Sequence, residues 1–275
     1  MGRALQDWQV RTQRNATPGE PLLYWSNLRP EPEELSPALF FRGPSEMPAL
    51  ERYALDLCRQ QGGKTLDLGG GAGSHVLALT SQGLTAEAID ICPEAVEVMR
   101  SRGVEAQQGS FWRLESQRYD SLLMLMNTAG VAGNLTSLQY LLVKLREHLT
   151  PHGQLLLDVS PPDWPALRRA RRGKAGASRS PVDAQEGQWA MLTCWLSFGA
   201  LEGENFSMLY PEPQVALEIA EVAGYQAKVV YQDRNRHSLL KLRPSIQHTF
   251  TMKPSASEGV RMIAPSTEKR RTWKP

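Results

Sequence analysis

The stretch from Thr65 to Asp90 constrains the fold of this chain more than any other part of the sequence. A short apolar segment around Asp67 has the pattern of a strand. Four glycines follow it, and a helical segment then leads to a second strand-like segment that ends at Asp90. A strand, loop, helix and strand in this order place the two strands parallel in one sheet. The glycine loop then lies at the carboxyl edge of that sheet, where nucleotide-shaped ligands bind.

The same alternation continues along the chain and predicts an α/β fold. The predicted strands of the first part are 64–68, 85–89, 104–107, 119–126 and 154–159, and the predicted helices are 46–61, 73–81, 93–102 and 135–149. A further helix precedes two strands joined by a polar turn, and these three are predicted at 211–223, 225–231 and 238–242. We therefore expect a doubly wound, Rossmann-like sheet that is mostly parallel and ends in a C-terminal antiparallel strand pair.

The glycine spacing separates the cofactor classes that such a loop could bind. A dinucleotide loop has the spacing GxGxxG, but Gly69, Gly71 and Gly73 give GxGxG, and no frame across this loop satisfies the longer pattern. A P-loop needs a lysine after its glycines, and none follows here. Both of these phosphate-bearing cofactor classes are therefore disfavoured.

The pattern Asp-x-Gly-Gly-Gly-x-Gly over residues 67–73 resembles the first motif of class I S-adenosylmethionine-dependent methyltransferases. Residues 149–158, with a proline and a glycine before an apolar strand, are similar to the fifth-strand segment of that family. Weaker similarity to small bacterial methyltransferases of unassigned substrate lies in residues 40–42, 124–133 and 195–210. The resemblance implies the strand order 3-2-1-4-5-7-6 and S-adenosylmethionine as the cofactor.

The resemblance also implies a set of site residues. In that family the glycine loop passes under the methionine part of the cofactor, and an acid that ends the second strand accepts hydrogen bonds from both ribose hydroxyls. A carboxylate suits this task because it offers two acceptor oxygens to two adjacent hydroxyls. Ser110 replaces the acid that often holds the adenine amino group. The implied cofactor-binding residues are Asp67, Gly69, Gly71, Gly73, Asp90, Ile91, Ser110, Phe111 and Asn127.

Asn127, after the fourth strand, and His75, at the start of the first helix of the sheet, are the predicted catalytic residues. Methyl transfer from a sulfonium is an in-line displacement with a neutral leaving group, so alignment and the exclusion of water carry most of the catalysis. The aromatic segments around the site suit an enclosed pocket, and we expect a small-molecule acceptor. No group of residues has metal-ligand spacing, so no metal is predicted.

Two alternative functions stay open at this point. Residues 168–179 hold six basic residues and no acidic one, which suits an RNA or a protein as the methyl acceptor. Ser110 at the position of the usual acid suits a non-catalytic scaffold that binds S-adenosylmethionine. Residues 127–130 lack the prolines and the aromatic residue with which DNA enzymes grip a flipped-out base, which disfavours methylation of DNA adenine.

Composition and the resemblance together divide the chain into an N-terminal cap segment (1–45), a domain that the resemblance implies is a methyltransferase domain (46–245) with a basic loop insertion (160–187), and a basic tail (246–275) that is predicted to be disordered. Three well-separated cysteines predict a reducing, cytoplasmic location. No stretch has the length and apolarity of a membrane span, so no membrane partner is expected. The sequence carries no signal for an oligomeric state.

Overall fold

The computed structural model describes residues 1–17, 19–172 and 182–245, which form the following strands and α-helices. The strands are β1 (Leu22–Ser26), β2 (Glu33–Leu35), β3 (Lys64–Leu68), β4 (Thr85–Asp90), β5 (Ala106–Gln108), β6 (Tyr119–Met124), β7 (Leu149–Val159), β8 (Asp183–Gln185), β9 (Trp189–Phe198), β10 (Leu201–Glu202), β11 (Phe206–Pro211), β12 (Tyr225–Gln232) and β13 (Ser238–Pro244). The helices are α1 (Gly2–Gln13), α2 (Ala49–Gln61), α3 (Ser74–Thr80), α4 (Pro93–Ser101), α5 (Leu135–Glu147), α6 (Trp164–Arg172) and α7 (Pro213–Val222). Each of these helices is too short or too polar to cross a lipid bilayer.

Seven strands form the central sheet, in the order β5-β4-β3-β6-β7-β13-β12. Numbered along the chain from one to seven, these strands follow the order 3-2-1-4-5-7-6. Within this sheet the strands β3 to β7 are parallel, whereas β13 pairs antiparallel with both β7 and β12. The predicted α/β, doubly wound sheet with an antiparallel C-terminal pair is confirmed.

The side chains of β6 alternate between the two faces of the sheet, which explains its unbroken apolar sequence. Leu122 and Met124 belong to a core that also contains the buried leucines of α5 and the alanines of α7. Leu123 belongs to a second core, on the opposite face, which is formed with α2, α3 and α4. Since β3 and β6 are neighbours while α3 and α5 lie on opposite faces, a crevice opens beyond the carboxyl ends of these two strands.

A second, antiparallel sheet, which we call the cap sheet, consists of β1, β2, β8, β9, β10 and β11. Its long strand β9 pairs with β1, β8, β10 and β11, so the N-terminal segment and the region after α6 form one structure. The 3-10 helix Thr128–Ala132, directly after β6, packs against β11. A methyl group at Gly130 would lie 2.7 Å from the carbonyl oxygen of Leu209, so only glycine permits this close approach.

The segment predicted as a loop insertion at 160–187 contains the helix α6, so this part of the prediction is wrong. Asp163 accepts a hydrogen bond from the backbone N–H of Ala166 at 2.9 Å and thereby caps the first turn. Pro165 lies in that first turn, where its missing N–H costs no helical hydrogen bond. Residues 173–181 and the predicted tail at 246–275 lie outside the described residues.

Candidate active site

The glycine loop between β3 and α3 requires glycine at three of its positions. Gly69, Gly71 and Gly73 have φ angles of +86°, +57° and +82°, which side-chain-bearing residues seldom adopt. The N–H of Gly73 donates to the carbonyl oxygen of Gly70 at 2.8 Å and closes a tight turn. A methyl group at Gly73 would also lie 2.7 Å from the side chain of Val104, so this glycine serves packing as well as backbone geometry.

Asp90, the last residue of β4, binds the backbone of the glycine loop through its side chain. Its Oδ2 accepts the N–H of Gly71 at 3.0 Å, and its Oδ1 accepts the N–H of Cys92 at 2.9 Å. Burial raises the pKa of Asp90, although these backbone hydrogen bonds act in the opposite direction. The two carboxylate oxygens together keep acceptor capacity beyond these contacts. The next residue, Ile91, is 73% exposed and offers an apolar surface beside this carboxylate.

The turn after β5 lies next to Asp90, because the N–H of Gly109 donates to the carbonyl oxygen of Asp90 at 3.0 Å. The hydroxyl of Ser110 accepts the N–H of Trp112 at 3.3 Å and caps the short 3-10 helix Phe111–Arg113. Phe111 is half-buried and packs near Trp112, with ring centroids 6.0 Å apart. The structure thus brings Ser110 and Phe111 to the Asp90 side of the glycine loop.

His75 lies in a buried series of alternating charges beside the glycine loop. Its Nδ1 is 3.2 Å from Oδ2 of Asp67, and its Nε2 is 3.3 Å from Oε2 of Glu51. One guanidinium nitrogen of Arg42 donates to both oxygens of Glu51, at 2.8 and 2.9 Å. Burial alone would lower the pKa of His75, but the two carboxylates raise it to about 10. Since both ring nitrogens of the protonated imidazole donate to carboxylates, this geometry favours a supporting role for His75, and its predicted catalytic role stays a prediction.

Asn127 lies where the chain leaves β6, at a turn with unusual backbone angles. Met126 and Asn127 have φ angles of +60° and +58°, so two consecutive non-glycine residues are left-handed. The carboxylate of Asp158 accepts the N–H of Met126 at 3.0 Å and the N–H of Asn127 at 2.8 Å. The side chain of Asn127 is fixed by Ser160: its Nδ2 donates to the serine hydroxyl at 3.0 Å, and its Oδ1 accepts the serine N–H at 2.9 Å.

A cavity of about 280 Å³, which we call the mouth cavity, lies between this turn and the cap sheet. The hydroxyls of Tyr24 and Tyr210 are 3.0 Å apart, and the hydroxyl of Tyr24 is also 2.8 Å from Sγ of Cys194. Burial raises the pKa of Tyr24, and burial likewise raises the pKa of Tyr210 to about 12, so both phenols stay neutral. The cavity is lined by Tyr24, Ser26, Leu28, Arg29, Glu33, Asn127, Ser160, Pro161, Pro162, Asp163, Leu167, Ala190, Leu192 and Tyr210.

No protein-family model and no curated protein matches the chain, but solved structures do. A methyltransferase from Bacteroides fragilis in complex with S-adenosylhomocysteine is 28% identical, with a TM-score of 0.73, over 89% of this chain and 94% of that one. The chain is a class I S-adenosylmethionine-dependent methyltransferase. A methyltransferase from Streptomyces caelestis (18% identity, 74% and 93% coverage, TM-score 0.53) and one from Clostridium acetobutylicum (10%, 73% and 94%, 0.53) share the fold.

The described residues of this methyltransferase fit the cofactor of its class. The carboxylate of Asp90 faces the loop with acceptor positions to spare, as a ribose diol requires. The exposed Ile91 offers an apolar surface for a flat ring. A methyl group at Gly71 would lie 3.3 Å from the ring of Phe40, and the hydroxyl of Ser74 donates to the carbonyl oxygen of Phe40 at 2.7 Å. The loop therefore lies between Asp90 and the N-terminal segment.

Three residues near the candidate site make contacts that the sequence did not predict. Glu51, on the buried face of α2, pairs with His75, and an acidic residue on an apolar helix face was the available signal. Asp158 was recognised as the end of a strand, but its contacts with the turn after β6 have no sequence signature. His237, whose Nε2 lies 2.8 Å from Oδ2 of Asp158, comes from a turn 79 residues away, and nothing in the sequence indicates that pairing.

Proposed function

We propose that this methyltransferase transfers the methyl group of S-adenosylmethionine to a small polar molecule held in the mouth cavity. The observation that carries the proposal is the wall that the mouth cavity shares with the glycine loop. Asn127 lines the cavity, and the methyl carbon of the next residue, Thr128, lies 3.2 Å from the position that a side chain at Gly69 would occupy. One turn of chain therefore contacts the cavity on one side and the glycine loop on the other.

On the cofactor side, Gly69, Gly71 and Gly73 leave space for the methionine part, and Asp90 holds the ribose. When bound, the sulfonium of the cofactor supplies an electrophilic methyl group and leaves as a neutral thioether. The protein therefore has to fix the distance and the angle of attack and to exclude water. The buried pair of Asp67 and His75 keeps the end of β3 in place for this task.

On the acceptor side, the size and polarity of the mouth cavity favour a small molecule with hydroxyl or amine groups. A volume of about 280 Å³ lies at the lower limit of ligand pockets. Tyr24 and Tyr210 present neutral hydroxyls, which donate or accept hydrogen bonds. Arg29 is 2.6 Å from Glu33 and 3.0 Å from Asp163, so its charge is compensated. The two carboxylates can also accept hydrogen bonds from hydroxyl or amine groups of the molecule to be methylated. We propose that Asn127 contacts the acceptor from the remaining side.

Isothermal titration calorimetry with S-adenosylhomocysteine tests the cofactor side. We expect Asp90→Ala to weaken binding about 100-fold, because two hydrogen bonds to a charged group are lost. The matched control is Asp120→Asn: this carboxylate accepts the N–H of Lys64 at 2.8 Å at the amino end of the same sheet. Binding that Asp90→Ala leaves unchanged would contradict the proposal.

The acceptor class is tested by incubating the protein with S-adenosylmethionine and separate panels of small alcohols and amines, RNA, and unfolded protein. We expect S-adenosylhomocysteine to form with a member of the small-molecule panel. Turnover with RNA or protein alone would support the alternative that the basic segment suggests. Of that segment, Arg168 pairs with Glu186 at 2.7 Å, and residues 173–181 lie outside the described part. Binding without turnover on any panel would support the scaffold alternative.

A further inference from the structure

The turn that separates the mouth cavity from the glycine loop has a backbone that its own residues do not favour. Methionine has no side-chain group that stabilises the left-handed conformation, whereas asparagine tolerates it. Nevertheless, Met126 and Asn127 both adopt it, with φ angles of +60° and +58°. Strain of this kind persists only where surrounding contacts enforce it.

The enforcing contact is the side chain of Asp158, at the carboxyl end of the neighbouring strand β7. Asp158 is 1% exposed, and its two oxygens accept the N–H groups of Met126 and Asn127 separately, at 3.0 and 2.8 Å. Two successive N–H groups that converge on one anion form a backbone nest. A single carboxylate thus satisfies both donors and fixes the direction in which the chain leaves β6.

The buried charge of Asp158 is itself compensated. Nε2 of His237 lies 2.8 Å from Oδ2 of Asp158. Burial alone would lower the pKa of His237, but the contact with Asp158 dominates and raises it. Asp158 therefore accepts three hydrogen bonds, two from the turn and one from His237 in the loop before β13, and its position is determined from both sides.

The geometry points to Asp158 as a positioning residue for the proposed reaction: through the nest at Met126 and Asn127, it sets the wall between the mouth cavity and the cofactor loop. This inference rests on the proposed function. Among the described residues, Asp158 is not part of the cavity lining, so it acts through the turn and not by contact with the acceptor. The turn carries Asn127 toward the cavity and Thr128 toward Gly69.

The first test is Asp158→Asn, which preserves size but replaces one acceptor oxygen by a donor. Because the two N–H groups contact different oxygens of Asp158, the single amide oxygen can replace only one of these contacts in the present geometry. We expect faster hydrogen exchange at the amides of Met126 and Asn127, measured by NMR, and a weaker affinity for S-adenosylhomocysteine, by about tenfold, measured by calorimetry. Asp120→Asn, on the same sheet but at its amino end, is the matched control and should change neither quantity.

A second pair of variants separates the backbone role from a general effect of a buried charge. Met126→Val keeps Asp158 intact but places a β-branched residue where φ is +60°, and it should weaken S-adenosylhomocysteine binding in the same way. Met126 is 39% exposed, so little packing is lost and the variant is expected to fold even if Asp158→Asn does not. Adding Met126→Gly to Asp158→Asn should restore most of the lost affinity, because glycine adopts the left-handed conformation without cost.

The outcomes distinguish the two proposals. If the unmodified protein does not bind S-adenosylhomocysteine, the proposed function fails, while the exchange of the two amides still tests the nest. If it binds, but Asp158→Asn and Met126→Val bind equally well, the positioning role is overturned and the proposed function stands. Loss of affinity in Asp158→Asn without rescue by Met126→Gly would also overturn the positioning role, since removal of the buried charge, and not strain at the turn, would then explain the loss.

Discussion

At the scale of single residues, His75 is the clearest case of a side chain whose chemistry is set by its neighbours. The carboxylates of Asp67 and Glu51 lie 3.2 and 3.3 Å from its two nitrogens, and both carboxylates are buried. Contact with His75 and Arg42 lowers the pKa of Glu51 against the opposing effect of burial. A protonated imidazole is therefore the counter-charge that allows two acids to lie beneath the glycine loop.

This arrangement predicts a pH dependence of stability. The pKa of His75 rises from 6.5 to about 10 on folding, so its stabilising contribution is complete below pH 6.5 and is lost as the pH rises through about 10. In His75→Gln, we expect the free energy of unfolding at pH 6 to fall by about 3 kcal/mol, because two buried carboxylates lose their counter-charge. The difference from the unmodified protein should shrink toward pH 10.

Urea denaturation at several pH values measures this effect. His152→Gln is the control, because His152 is exposed, and its curve should follow that of the unmodified protein. A His75→Gln deficit that is the same at pH 6 and pH 10 would show that the imidazole is not a proton-linked counter-charge in the folded state.

Among the secondary-structure elements, strand β11 of the cap sheet closely approaches the 3-10 helix that follows β6. Gly130, in the 3-10 helix after β6, faces the backbone of β11, and an added methyl group would lie 2.7 Å from a carbonyl oxygen that cannot rotate away. We expect Gly130→Ala to destabilise the fold by about 1 to 3 kcal/mol through this overlap. Thermal unfolding measures it. Gly43→Ala is the control, since its nearest neighbour would be 3.5 Å away, and equal stability of the two variants would argue against the contact.

The N-terminal helix α1 packs against the glycine loop. Leu5 is fully buried against Ala72 of the glycine loop and Ala95 and Val98 of α4. Leu5→Ala should therefore cost about 2 to 5 kcal/mol of stability and also weaken S-adenosylhomocysteine binding, because the loop loses its support. Val10→Ala, on the exposed side of the same helix, is the matched control for both measurements. A loss of stability with unchanged affinity would confine α1 to a structural role.

Most elements of the central sheet could be predicted from the sequence, because local patterns determine them. The buried run of β6 and the glycine loop with Asp67 are visible in a window of a few residues. The cap sheet is different, since β1 and β9 pair across about 170 residues, with Trp25 opposite Trp195. Helix α6 was missed because the prolines before and within it and its arginines are typical of a loop, although the capping residue Asp163 was a local signal.

Across the whole molecule, the described residues between 1 and 245 belong to one compact unit, in which the proposed active site combines distant parts of the chain. The central sheet supplies the glycine loop and Asp90, while the cap sheet supplies Tyr24 and Tyr210. The candidate cofactor side could be predicted because a local motif forms it. The mouth cavity could not, since its walls include residues of β1, the turn after β6, the segment after β7, and the strands β9 and β11. Such a cavity exists only after the two sheets have packed together.

We propose that the glycine loop and the mouth cavity are two halves of one methyl-transfer site. A crystal structure of the protein with S-adenosylhomocysteine would show whether they are. We expect the ribose hydroxyls to lie within hydrogen-bond distance of Asp90, the adenine to lie along Ile91, and the sulfur to face the mouth cavity past Asn127. A ligand whose sulfur faces away from that cavity, or which leaves Asp90 without a contact, would rule out this shared site.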